Sequence, residues 1–168
     1  MKLEIKNFRS IRSQSLELAP ITVVYGPNGA GKSSLLYALL TLKNVVVNPN
    51  QSSDAFFNYV FMNLGGFEAV VFDHQTRTDV TFRVTLERDD RLIDYQVSIG
   101  ASKGGFRLTA TGKDSKPSSL ELKVPFPYPA NQQAEQVFPC RGKEIKVTWN
   151  GVTAQAQVAS QDQEAEGS

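Results

Sequence analysis

A chain of 168 residues with 40% hydrophobic side chains is long enough for one core-bearing domain, or one lobe of something larger, and too apolar for wholesale disorder. Its 18 basic and 17 acidic residues leave a formal charge of +1, which excludes a general attraction to nucleic acid or membrane, so DNA contact has to come from a local patch or a partner. The single cysteine, Cys140, rules out an internal disulfide, and the single histidine, His74, argues against a zinc site.

In chain order, Leu3 and Ile5, then Phe8, alternate with Lys2, Glu4 and Lys6, the pattern of a half-buried strand. The charges at every second position leave no apolar core for a signal peptide, and no stretch is long enough to cross a bilayer, so a cytoplasmic chain without membrane contact is expected. A polar turn over residues 9–14 leads to Ser15-Leu16-Glu17-Leu18, which pairs naturally with the first strand. Ala19-Pro20 breaks the pattern. The β-branched and aromatic run Ile21 to Tyr25 then predicts a short buried strand.

Gly26-Pro27-Asn28-Gly29-Ala30-Gly31-Lys32-Ser33 matches G-x-x-x-x-G-K-[ST], and Ser34 to Leu40 opens a helix. Polyphosphate is compact and strongly anionic. Glycines at 26, 29 and 31 allow successive backbone N–H groups to point inward at it, and the helix start adds its positive dipole end. Lys32 supplies a point charge for the β- and γ-phosphates, the Ser33 hydroxyl suits Mg²⁺, and Ser34 is a further donor. A glycine turn with a chance lysine would not explain the strand before it and the helix after it. The expected ligands are therefore ATP and Mg²⁺.

The helix is expected to bury Leu35, Leu36, Leu39, Leu40 and Leu42 and to end near Lys43-Asn44. A second helix is predicted from Ser52 or Ser53, with Phe56, Phe57, Val60, Phe61 and Leu64 on its apolar face and Gly65-Gly66 as its stop. That aromatic row reads as core, with a partner surface as the alternative. From Glu68 the period changes to two: Val80, Phe82, Val84 and Leu86, then Tyr95, Val97 and Ile99, then Phe106, Leu108 and Ala110 make a β-meander. Leu120, Leu122 and Val124 suggest a short strand, whereas Pro125, Pro127, Pro129 and Pro139 make the span to Cys140 irregular. Ile145, Val147 and Trp149, the turn Asn150-Gly151, and Val152, Ala154, Ala156 and Val158 predict a hairpin.

Leu3-Glu4-Ile5-Lys6-Asn7-Phe8-Arg9-Ser10-Ile11, placed just before Gly-Pro-Asn-Gly-Ala-Gly-Lys-Ser-Ser, resembles the N-terminus of ABC-type ATPase head domains. The group it resembles is the SMC and RecF class, with double-strand-break repair ATPases and AAA-type relatives. Leu64-Gly65-Gly66-Phe67-Glu68-Ala69-Val70-Val71-Phe72 looks like the segment after the first long helix in that class. The likeness covers about residues 1–90. It implies a mixed α/β fold: an N-terminal P-loop NTPase lobe of ABC-ATPase type with an antiparallel β-subdomain. The lobe would span 1–160, with the P-loop at 26–34, the meander at about 68–111, the hairpin at about 144–158, and a polar tail or linker at 161–168. It also implies nucleotide contacts from Gly26, Pro27, Asn28, Gly29, Ala30, Gly31, Lys32, Ser33 and Ser34, with Lys32 catalytic and Ser33 on Mg²⁺. Arg9 and Ser10 approach the nucleotide on this reading; as a plain turn, Arg9 would only be solvated. Gln75 is the nearest residue to a metal-side Q-loop glutamine.

Hydrolysis needs one carboxylate for Mg²⁺ and another to orient water. After residue 34 no run of four apolar residues ends in Asp-Glu, and no Ser-Gly-Gly signature occurs; Ala69 to Asp73-His74 only imitates a Walker B end. The resemblance therefore implies a C-terminal ATPase lobe and a second head, joined as a homodimer on ATP binding, with DNA reached through partners and DNA repair or chromosome maintenance as the setting. The alternatives are an AAA-type ATPase of a defence or toxin-linked system, and a non-hydrolysing nucleotide sensor. A GTPase is disfavoured because no Asn-Lys-x-Asp is present.

Overall fold

The structure is a computed structural model and describes residues 1–49, 51–88, 91–112, 120–126, 134–140, 143–149 and 154–158. It is mixed α/β, with an antiparallel sheet and two helices. The strands are β1 (Lys2–Phe8), β2 (Ile11–Glu17), β3 (Asn58–Tyr59), β4 (Met62–Asn63), β5 (Val80–Arg88), β6 (Arg91–Ile99), β7 (Gly104–Gly112), β8 (Leu120–Phe126), β9 (Ala134–Cys140), β10 (Lys143–Trp149) and β11 (Ala154–Val158). The helices are α1 (Lys32–Val47) and the single turn α2 (Phe67–Val70). Strands β2-β1-β5-β6-β7-β8 form one six-stranded sheet, β11-β10-β9 a second, and β3-β4 a small hairpin.

Leu3 and Ile5 of β1 pair with Val84 and Phe82 of β5, and one face of these central strands is buried under α1. The alternation then breaks at Asn7, whose φ of 55° is a left-handed conformation that asparagine tolerates. Phe8 rather than Asn7 therefore enters the core, where its ring lies 5.4 Å edge-on to Phe82 and 6.3 Å from Phe57. Helix α1 contributes Leu35, Ala38, Leu42 and Val45, a stripe at spacings of three and four.

Several expectations are corrected. Residues Ile21 to Tyr25 form no strand: no described strand pairs with them, and Ile21, Val23 and Tyr25 are 86, 78 and 91% exposed. A strand is held by its neighbours, and the described sheet places none beside this segment. Helix α1 runs on to Val47, because Lys43-Asn44 lacks a glycine and Asn48 N–H still reaches Asn44 O. Leu36 is exposed and Leu39 and Leu40 are half-buried, since they lie off the stripe that meets the sheet.

The second helix is also overturned. Ser53–Phe57 is a 3-10 turn, Asn58 to Asn63 is a hairpin, and Val60 and Phe61 at its tip are exposed. Phe56, Phe57 and Tyr59 are buried there and Leu64 packs against the core, whereas Val60 and Phe61 fall in the turn between β3 and β4 and face solvent. The period-two region begins at Val80 rather than Glu68, because α2 and the turn Phe72–His74 come first. The proline-bearing span holds β8 and β9 up to Cys140, with residues 127–133 outside the described residues. The polar loop 113–119, the turn at Asn150-Gly151 and the tail 161–168 also lie outside them.

Gly104 shows how tightly the far end is packed. The Phe126 ring crosses it to meet Phe56 edge-on at 5.0 Å, and a Cβ at Gly104 would lie 2.4 Å from that ring and 2.3 Å from Ser98 O. Gly104→Ala should therefore destabilise the fold by about 1–3 kcal/mol, read from the urea midpoint. An unchanged midpoint would contradict this packing.

Candidate functional site: the loop between Gly26 and Ser34

The site is assembled where three chain segments meet. The first is the turn after β1. Arg9 has a φ of 52°, and its N–H donates to Val70 O at 2.6 Å, next to an isolated bridge between Phe8 and Val71. The second is the loop entering α1. Gly31, at φ 85° and ψ 7°, takes the left-handed cap conformation that starts the helix, where a Cβ would meet Ser10 Oγ at 3.3 Å. The third is the segment after the Gly65-Gly66 turn. There Phe67 N–H donates to Asp54 Oδ1 at 2.7 Å, which fixes the start of α2.

Together they enclose a cavity of about 540 Å³ lined by Arg9, Ser10, Asn28, Gly29, Gly31, Lys32, Ser33, Ser34, Ala69, Val71, Asp73 and His74. Ser10 Oγ and Ser34 Oγ are hydrogen-bonded at 2.9 Å, which ties the turn to the first turn of the helix. Lys32 Nζ donates to the carbonyls of Gly26 and Pro27, at 2.9 and 2.8 Å. This ammonium curls over its own loop. Helix α1 has no side-chain cap and no acid in its first turn, so its leading N–H groups and dipole favour a negative ligand.

Of the residues expected at the site, Arg9, Ser10, Asn28, Gly29, Gly31, Lys32, Ser33 and Ser34 line this one cavity. Gly26 and Pro27 contribute through their carbonyls to Lys32. Ala30 instead lines an adjoining cavity of about 330 Å³, with Leu16, Val24, Tyr25 and Leu35, which shares Ser10, Gly31 and Lys32 with the first. Gln75 is outside the cavity lining, and its amide donates to Asp73 Oδ2 at 3.2 Å.

The opposite wall carries Asp73 and His74, the pair that in sequence only imitates the end of a Walker B strand. Asp73 and His74 both have left-handed backbones, φ 53° and 52°, and His74 Nδ1 lies 2.9 Å from Glu68 O. Consecutive non-glycine residues in that region cost on the order of 1–2 kcal/mol each. The conformation places this segment across the cavity from the glycine loop. The one available signal was the Asp-His pair itself, which composition alone cannot place. Among the described residues no cluster of three His, Cys, Asp or Glu side chains is positioned to hold a metal, and no helix is long and apolar enough to cross a membrane.

Two curated proteins are similar over short stretches. One is the OLD nuclease of Thermus scotoductus, 47% identical over 38 residues, which is 23% of this chain and 7% of that protein. The other is the DNA replication and repair protein RecF of Chloroflexus aggregans, 45% identical over 53 residues, 31% of this chain and 13% of that protein. The chain thus matches only a small part of each relative's length. No solved structure matches significantly. The profile of the AAA domain matches residues 2–123, most of the chain, and the protein belongs to that family.

Proposed function

We propose that this chain is the ATP-binding, Walker A lobe of an SMC/RecF-class ATPase, with Mg²⁺ as the companion ion. The observation that carries it is the cavity uniting Lys32, Ser33 and Ser34 with Arg9 and Ser10 at the uncapped start of α1. Its chemistry suits a triphosphate: two cationic side chains, three hydroxyls and free helix N–H groups converge there, and the Arg9 Nε is buried without a partner among the described residues. Lys32 would hold the β- and γ-phosphates, and the Ser33 hydroxyl would be the protein's ligand to Mg²⁺. Mg²⁺ would neutralise charge on the phosphates and orient them.

Hydrolysis, on this reading, draws its carboxylates and signature residues from a C-terminal lobe and a second head. The exposed apolar run Ile21 to Tyr25, with Leu36, Val46 and Val47 exposed on α1, supports that reading. Such surface is the kind buried when further strands and helices dock. The similarity to RecF favours DNA replication or repair as the setting. A second reading, an ATPase paired with a nuclease effector, is favoured by the similarity to the OLD nuclease.

Lys32→Ala should reduce binding of a labelled ATP analogue at least about tenfold, because a charge-assisted contact to phosphate is lost. The far-ultraviolet circular dichroism should stay unchanged, since the Lys32 ammonium bonds only to its own loop. Equal affinity in the variant would remove the phosphate role. The chain alone should bind MgATP without steady turnover, and a C-terminal ATPase lobe added in trans should start turnover. Sustained hydrolysis by the 168-residue chain alone would contradict the half-site reading.

A further inference from the structure

Arg9 is held more firmly than its place in a turn requires. Its guanidinium carbon sits 5.2 Å from the centroid of the Tyr37 ring, one turn into α1. Tyr37 in turn stacks on Tyr59 at 6.1 Å and 13°, and Tyr59 on Phe61 at 5.8 Å and 16°. A cation and three nearly parallel rings therefore run from the cavity to the tip of the β3–β4 hairpin, where Phe61 is 67% exposed.

The middle of the stack is locked by hydrogen bonds. The Tyr59 hydroxyl donates to Tyr37 O at 3.1 Å. Its one proton is thereby used, so the buried Thr41 hydroxyl, 2.6 Å away, donates to Tyr59. Burial pushes the Tyr59 phenol above its ordinary value, against the Thr41 bond, which keeps it a neutral donor.

We infer that Tyr37 is a positioning residue that holds the Arg9 guanidinium in the nucleotide cavity, with Tyr59 and Phe61 extending that hold to the exposed hairpin. The inference rests on the nucleotide reading of the cavity. A guanidinium with one face on an aromatic ring keeps its edge N–H groups free for a planar or multidentate oxyanion. The backbone of Arg9 is pinned by its bond to Val70 O, so the ring contact is what restricts the rest of the side chain. Without it, a flexible arginine must be ordered each time a polyphosphate binds, at the cost of affinity.

The test is titration of a fluorescent ATP analogue with Mg²⁺, and inorganic tripolyphosphate as competitor, against the full chain and its variants. Tyr37→Leu should weaken both ligands by about three- to tenfold, the range of a cation–π contact. Tyr37→Phe, which keeps the ring, should restore affinity. In an Arg9→Ala background Tyr37→Leu should add nothing, because the two act as one unit. Phe61→Ala, at an exposed tip where folding is not at risk, should weaken binding about twofold in the native background and not at all beside Arg9→Ala.

Wild-type affinity in Tyr37→Leu, with Lys32→Ala still defective, would overturn the positioning role and leave the phosphate site standing. A Tyr37→Leu loss that persists unchanged in the Arg9→Ala background would also overturn it, by showing a general effect on the fold. If Tyr37→Leu does not fold, Phe61→Ala decides, and full affinity there refutes the stack. Failure of the unmodified chain to bind either ligand would instead overturn the nucleotide reading, and this inference with it.

Discussion

The cavity depends on one turn. Arg9 and Ser10 sit where the first strand ends, and three contacts converge on them: Arg9 N–H to Val70 O, the Phe8–Val71 bridge beside it, and Ser10 Oγ to Ser34 Oγ. The first two bind the wall after α2, and the third binds the helix that follows the glycine loop. A left-handed backbone at a non-glycine residue costs free energy, and here burial of Phe8 among Phe57 and Phe82 offsets it. Loosening that turn would separate the glycine loop from Asp73 and His74, and the cavity would open into a groove.

The parts of the fold that were legible in the sequence are those in which side-chain period and local chemistry agree. Leu3 and Ile5, and later Val80, Phe82, Val97 and Ile99, alternate in sequence and are buried as strands of one sheet. The glycine loop announced the start of α1, because a left-handed Gly31 is what a chain needs to enter a helix from that turn. Elsewhere the period misled. Phe56, Phe57, Val60, Phe61 and Leu64 carry helical spacing, yet the chain bends into a hairpin after Asn58 and leaves Val60 and Phe61 in solvent. Ile21 to Tyr25 has the composition of a buried strand, but composition supplies no partner, and pairing is what makes a strand. Asp73 and His74 are residue types that tolerate positive φ, but tolerance does not place it, and only the folded chain shows both in that region, with His74 Nδ1 beside Glu68 O.

These failures share a direction. Both misread apolar segments carry exposed side chains, Ile21, Val23 and Tyr25 in one and Val60 and Phe61 in the other; the first runs directly into Gly26 and the second is stacked on Tyr37 through Tyr59. On the proposed nucleotide reading, apolar surface left in water beside the site is the kind that a docking element buries. On the proposed reading, Ile21 to Tyr25 is where a second lobe would complete a sheet, and the hairpin is what holds Arg9. Of the 18 basic residues only Arg9 and Lys32 line the cavity, so its pull on an anion comes from those two groups and the start of α1 rather than from the charge of the whole chain.

The central claim is that the loop from Gly26 to Ser34 is a cradle for a polyphosphate rather than for a base or sugar. Isothermal titration of the chain with MgATP, inorganic tripolyphosphate and AMP tests it most directly. The account predicts that ATP and tripolyphosphate compete for one site, and that AMP binds at least about tenfold more weakly because it lacks the β- and γ-phosphates that Lys32 would hold. AMP binding as tightly as ATP, or tripolyphosphate failing to displace ATP, would contradict it.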